Sequence, residues 1–172
     1  MNVFRKRKQL RLKGYNYSQN GYYFVTICSE SRGNIFGKII EGTMEANSLG
    51  KSVAECLSQI PKHFPFVIVD EYVVMPNNVH AIIQINNINV GANNYSPLPK
   101  GKRPNGTSMT LGSIIRGFKK GVVKIARNKN FIHKLWQRNY YEHIIRSDDE
   151  LQEIRKYIAD NPKNWKKDKL YY

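Results

Sequence analysis

Apolar and polar positions along the chain alternate between the period of a strand and that of a helix. Residues 22–29 are rich in aromatic and β-branched side chains, and residues 34–40 follow Glu30-Ser31-Arg32-Gly33, which predicts two strands joined as a hairpin. From Ser48, read as an N-cap, Leu49, Val53, Leu57 and Ile60 recur at helical spacing until Pro61 and Pro65 stop the helix. Residues 66–75 and 79–85 read as an antiparallel strand pair turned at Pro76-Asn77. Residues 86–107 collect Asn, Gly, Pro and Ser without periodicity and predict a flexible basic loop. Ser108 is placed to cap a helix with the stripe Leu111, Ile114, Ile115, Phe118, Val122 and Ile125. Residues 135–145 read as a strand. Ser147 and Glu150 then form a capping box for a helix that ends at Pro162 and carries Leu151, Ile154, Tyr157 and Ile158 on one face. Strands interrupted by helices, with two adjacent strands in the middle, predict an α+β domain of the ferredoxin-like kind, an antiparallel sheet of about five strands flanked by helices.

Composition narrows the class. A chain of 172 residues, 41% hydrophobic, supports one core. The expected organisation is a basic arm at 1–13, one domain at 14–165 and a basic tail at 166–172. Lys+Arg number 28 against 13 Asp+Glu, a net charge of +15 that favours a polyanionic partner, nucleic acid first. No apolar run approaches the roughly 18 to 20 residues of a spanning helix, so a membrane is not the expected partner. The first residues lack the apolar core of a secretory signal. Cys28 and Cys56 both sit in apolar patterns, which leaves neither a disulfide framework nor a zinc cluster, and a reducing cytoplasmic setting is expected. Arg5, Lys6, Arg7, Lys8, Arg11 and Lys13 crowd the arm, Lys102 and Arg103 the loop, and Arg116, Lys119 and Lys120 the second helix; with Arg138 they form the expected phosphate-contacting set.

Few residues can carry chemistry. On the strand that begins at Asn78, alternation sends Val79, Ala81, Ile83 and Ile85 to the core and Asn78, His80 and Gln84 to the other face. An amide oxygen and an imidazole two residues apart on a strand can reach one divalent ion; a solvent-side or hydrogen-bonded histidine is the ordinary alternative. Tyr157 and Asn161 are four residues apart on a helix, so the phenol and the carboxamide share a side; the ordinary alternative for Tyr157 is a core aromatic. A phenol is a weak nucleophile at neutral pH, and a metal or a dense cationic field would favour its phenolate. Tyr15, Tyr17, Trp136, Tyr140 and Tyr141 are available either for the core or for stacking unpaired bases.

Several blocks, in order, resemble the REP-associated tyrosine transposases, relatives of the small single-tyrosine insertion-sequence transposases. They are Arg11-Leu12-Lys13-Gly14-Tyr15-Asn16-Tyr17-Ser18, Tyr22-Tyr23-Phe24-Val25-Thr26-Ile27-Cys28, Val74-Met75-Pro76-Asn77-Asn78-Val79-His80, Leu111-Gly112-Ser113-Ile114-Ile115-Arg116-Gly117-Phe118, Trp136-Gln137-Arg138-Asn139-Tyr140-Tyr141-Glu142-His143 and Tyr157-Ile158-Ala159-Asp160-Asn161-Pro162. The family's strand motif is Met-Pro-Asn-His-hydrophobic-His, so the resemblance makes His80 the second metal-binding histidine and puts Asn78 where the first belongs. It further implies Tyr157 as the nucleophile, Asn161 as a third metal ligand and Mg²⁺ or Mn²⁺ as the ion. The implied reaction cleaves and rejoins single-stranded DNA beside hairpins through a 5′-phosphotyrosine, without a small-molecule cofactor, by a monomer or homodimer in the bacterial cytoplasm at the nucleoid. His143 is expected to be a hydrogen-bonded structural residue. Because Asn78 replaces a histidine, a non-catalytic binder of hairpin DNA or RNA is the competing reading, and a structural RNA-associated protein a third.

Overall fold

The computed structural model describes residues 11–31, 33–87, 109–131, 134–168 and 170–171. The arm residues Arg5, Lys6, Arg7 and Lys8, the loop residues Lys102 and Arg103, and the expected cap Ser108 lie outside them.

A four-stranded antiparallel sheet organises the chain, in the order β4 (Val67–Val74), β5 (Asn78–Ile85), β1 (Gly21–Cys28), β6 (Tyr141–Ile145). Helices cover both faces. On one, Tyr23, Val25 and Ile27 of β1 and Val79, Ala81, Ile83 and Ile85 of β5 pack under α1 (Ser48–Ser58) and α3 (Leu111–Asn128) in the main core. On the other, Ile82 and Ile145, with Tyr22, Phe24 and Val73 beside them, pack under Leu151, Ile154 and Ile158 of α4 (Asp148–Asn164). Apolar burial on both faces, at about 25 cal/mol per Å², fixes strand register, since a one-residue slip would exchange the two sets.

Several expected elements are redrawn. The 22–29/34–40 hairpin does not form. β1 is central, and its two edges are taken by β5 and β6. The chain leaves the sheet after Cys28, and β2 (Gly37–Ile40) pairs instead with β3 (Thr43–Ala46) as a separate ribbon. The turn between them is Glu41-Gly42, both at positive φ (48° and 75°), the primed geometry that suits a two-residue hairpin but lacks the usual Asn-Gly signature. The strand expected at 135–145 shortens to β6, because Trp136 makes only an isolated bridge to Ser29 and then turns into the core against Phe36 and Phe118.

The caps shift as well. Asn47, not Ser48, caps α1, its Oδ1 accepting from the N–H groups of Leu49 (2.9 Å) and Gly50 (3.0 Å). Gly50 lets α1 press on the preceding loop, since a β-carbon there would lie 2.1 Å from the Phe36 carbonyl oxygen. Pro61 does not end the helical path but opens the short α2 (Ile60–His63), where its missing N–H is harmless. Thr110, not Ser108, caps α3. At α4 the Ser147 hydroxyl accepts from the Glu150 N–H as expected, but the Glu150 carboxylate reaches back to Arg146 N–H (2.7 Å) and His143 Nε2 (2.6 Å). His143 thus has the hydrogen-bonded role expected of it. Pro162 lies inside α4, which runs to Asn164 and continues as a 3₁₀ turn at Trp165–Lys167. The β4–β5 pair forms as expected, with a bulge between Val69 and Tyr72. At that bulge Asp70 takes a bidentate pair from Arg155 of α4 (2.6 and 2.8 Å), which ties the helix to the sheet edge.

Candidate active site

The site forms where α4 crosses the starts of β5 and the end of β1. Alternation puts Asn78 and His80 on the α4 side of β5, as expected, but helix α4 closes over them, so Asn78 is fully buried and His80 2% exposed. His80 stacks on Phe24 (ring centroids 5.7 Å, 10° between planes), and the Tyr157 ring stands edge-on to both, 5.4 Å from His80 and 5.9 Å from Phe24. Tyr157 is 45% exposed and therefore not a core filler, whereas Asn161, one turn later, is buried at 3%.

The polar atoms of this cluster are unevenly satisfied. His80 Nδ1 lies 2.9 Å from Thr26 Oγ1, its cross-strand neighbour. Asn78 Nδ2 donates to Asn77 Oδ1 at 2.9 Å. His80 Nε2, Asn78 Oδ1 and Asn161 Oδ1 are buried and have no hydrogen-bond partner among the described residues. Burial lowers the His80 imidazole to about 4, only partly opposed by the Asp168 charge, so the ring is neutral at physiological pH. In the tautomer whose Nδ1–H donates to Thr26 Oγ1, Nε2 presents a lone pair. An imidazole nitrogen and two amide oxygens, each otherwise uncompensated at a cost of about 1–3 kcal/mol, suit a hard divalent ion such as Mg²⁺ or Mn²⁺. Among the described residues there is no cluster of three His, Cys, Asp or Glu that could hold a metal, so amides must provide much of any such site.

Asp168, just past the 3₁₀ turn, was not singled out in the sequence. Its Oδ2 accepts from Tyr157 Oη–H at 3.4 Å and from Asn161 Nδ2 at 3.3 Å. The tyrosine's acidity moves against the expectation of a phenolate favoured by surrounding cations. Burial raises its pKa first and the Asp168 charge raises it further, with Asn161 opposing. A groove of about 390 Å³ opens over Tyr157, Asn161 and Asp168, and Lys156 and Lys167 line it.

The expected phosphate contacts gather elsewhere. Arg11, Arg116, Lys119, Lys120 and Arg138 line a cleft of about 1000 Å³ on the α3 side of the sheet, joined by Lys124 and Arg127. Lys13 is exposed and lies outside this cleft. The cleft is larger than the Tyr157 groove and has a tyrosine of its own, Tyr140, whose pKa burial and then the Glu142 charge raise. Arg11 donates to Tyr140 Oη (3.2 Å) and stands 3.9 Å from Glu142. Lys119 Nζ donates to the carbonyls of Gln137 (2.9 Å) and Asn139 (3.0 Å) and lies 5.9 Å from the Tyr140 ring centroid. Burial lowers its pKa to about 8. Cys28, at the end of β1, lies between the two sides: burial raises its thiol pKa, the Lys119 charge lowers it and the Asp168 charge raises it. Of the aromatics named for stacking, Trp136 is core and Tyr15 and Tyr17 pack against Tyr23, while Tyr141 is 53% exposed.

No helix among the described residues is long and apolar enough to cross a membrane. No family model matches the chain. A protein of Haemophilus influenzae strain Rd, described as uncharacterized, is 46% identical over 171 residues, covering 96% of this chain and 93% of its own. Among solved structures, a REP-associated tyrosine transposase bound to a REP hairpin superposes with a TM-score of 0.60 at 17% identity, over 96% of this chain and 74% of the other. A candidate transposase from Deinococcus radiodurans covers 87% of this chain and 95% of its own at a TM-score of 0.48 and 13% identity, too distant to carry an argument. The chain thus belongs to one family with the Haemophilus influenzae protein, and its fold is that of the REP-associated tyrosine transposases.

Proposed function

We propose that the protein is a DNA-processing enzyme that cleaves and rejoins single-stranded DNA beside a hairpin, with Tyr157 as nucleophile. The observation that carries this reading is the set of three buried, unpartnered donors, Asn78 Oδ1, His80 Nε2 and Asn161 Oδ1, beside a half-exposed tyrosine. The solved relative in fold is bound to a REP hairpin, which supports DNA of that kind as the substrate.

In the proposed reaction, the Tyr157 oxygen attacks phosphorus in line, the P–O3′ bond breaks, and a 5′-phosphotyrosine and a 3′-hydroxyl result. The phenol hydrogen is matched by the one the 3′-hydroxyl gains. A 3′-hydroxyl from another end reverses the step, so rejoining needs no nucleotide cofactor. His80, Asn78 and Asn161 would hold Mg²⁺ or Mn²⁺, which supplies Lewis-acid stabilisation of charge developing on the phosphate. The Thr26 hydroxyl orients the imidazole ring through Nδ1. Lys156 and Lys167, at the groove rim, attract the phosphate, and Phe24 holds the faces of His80 and Tyr157 in place. Arg11, Arg116, Lys119, Lys120 and Arg138 carry the more distant backbone of the substrate, and electrostatic attraction there accounts for binding without sequence readout.

The test is strand cleavage of end-labelled, hairpin-flanked single strands with and without Mn²⁺. Metal-dependent cleavage lost in Tyr157→Phe is the expected result. Binding without cleavage in any divalent metal would instead support the non-catalytic binder that Asn78 makes conceivable.

A further inference from the structure

The three unpartnered donors of the proposed metal site are all neutral. Two amide oxygens and an uncharged imidazole offer a divalent ion geometry without countercharge, and hard cations are held chiefly by anionic oxygen. Yet a carboxylate stands at the same place. Asp168 Oδ2 touches Asn161 Nδ2 and Tyr157 Oη at long distances, 3.3 and 3.4 Å, contacts weak enough to yield. Among the described residues no lysine, arginine or histidine nitrogen lies within 4 Å of it, although Lys163, Lys166 and Lys167 are close in sequence.

Its placement is built rather than incidental. Trp165 is buried at 3% and meets the Tyr171 ring at 5.7 Å, which anchors the turn on both sides of Asp168. Asp168 Oδ1 accepts from the Leu170 N–H at 2.7 Å, orienting the carboxylate. The Leu170 carbonyl in turn accepts from Asn77 Nδ2 at 2.8 Å, and Asn77 immediately precedes Asn78. The C-terminal turn is therefore fastened to the corner of the sheet from which Asn78 and His80 project.

We infer that Asp168 is a further ligand of the divalent ion and supplies the negative charge that Asn78, His80 and Asn161 lack. The inference rests on the proposed metal-dependent reading of this site.

The test is Mn²⁺ binding to the full chain without DNA, followed by the electron paramagnetic resonance signal of free Mn²⁺. Asp168→Asn keeps the size and the acceptor for Leu170 N–H, and circular dichroism checks that it folds. Mn²⁺ affinity at least tenfold weaker in Asp168→Asn, and unchanged in Asp160→Asn at the same groove, is the expected result. In the wild type, which needs no substitution, bound Mn²⁺ should broaden the carbon-13 resonance of the Asp168 carboxyl. Wild-type affinity in Asp168→Asn, with binding lost in His80→Gln, overturns the role of Asp168 and leaves the site standing. No Mn²⁺ binding by the wild type overturns both.

Discussion

The two faces of the sheet bury different polar groups, amides and an imidazole under α4, and the Trp136 indole and Glu142 carboxylate on the α3 side. Under α4, polar atoms of Asn78, His80 and Asn161 are buried and without hydrogen-bond partners among the described residues. Beside α3, the best-placed cations are partnered, Lys119 by two backbone carbonyls and Arg11 by Tyr140 and Glu142. Unsatisfied buried donors and acceptors are costly, and a native fold keeps them where something else completes them. Cations held in position lose less side-chain freedom when a polyanion arrives. In the proposed function, the α4 face carries the chemistry and the α3 face the grip on the substrate.

The comparison breaks first at His80. His80→Gln should weaken Mn²⁺ binding by about a hundredfold, since a neutral amide replaces the imidazole donor. DNA affinity in a metal-free filter-binding assay should stay within twofold. Loss of both would mean that the faces are not separable. The converse change, Arg116→Ala with Lys120→Ala, should weaken DNA binding by about tenfold at moderate salt and flatten the salt dependence by about 0.7 per lost phosphate contact on single strands. Its adduct yield at saturating DNA should not change.

Acid sharpens the same contrast. The His80 pKa is depressed from 6.5 to about 4 in the folded state, so the unfolded chain binds the extra proton between those values. Stability is fully present above the unfolded pKa and falls as pH drops from 6.5 toward 4, by at most about 1.4 kcal/mol per pH unit. Chemical denaturation in EDTA should show that slope, and His80→Gln should reduce it. A smaller gain is expected from Asn78→His, which should tighten Mn²⁺ binding several-fold by calorimetric titration, because imidazole is the stronger donor to that ion.

The readable parts of the fold were those set by local pattern. Alternation in residues 79–85 and the capping box at Ser147 gave β5 and α4, and with them the shared face of Asn78 and His80 and the shared side of Tyr157 and Asn161. What pattern could not give was partnership. β1 looks equally suited to a neighbour in sequence or to β5 and β6, and only packing of both faces selects the latter. Glu41-Gly42 hid the β2–β3 turn because Glu seldom adopts positive φ. Asp168 stayed hidden in a lysine-rich tail, where Trp165 was the one sign of a segment that packs. That α4 would bury His80 rather than leave it facing solvent follows from tertiary structure, as does the placing of Asp168 against Tyr157.

The central claim is that Tyr157 becomes covalently joined to DNA. The most direct measurement is mass spectrometry of the peptides recovered after the wild-type protein is incubated with Mn²⁺ and a hairpin-flanked single strand, then digested with protease and nuclease. A nucleotide attached through a 5′-phosphate to the peptide containing Tyr157 is the predicted result. An adduct on another residue, or cleavage without any adduct, would contradict the account.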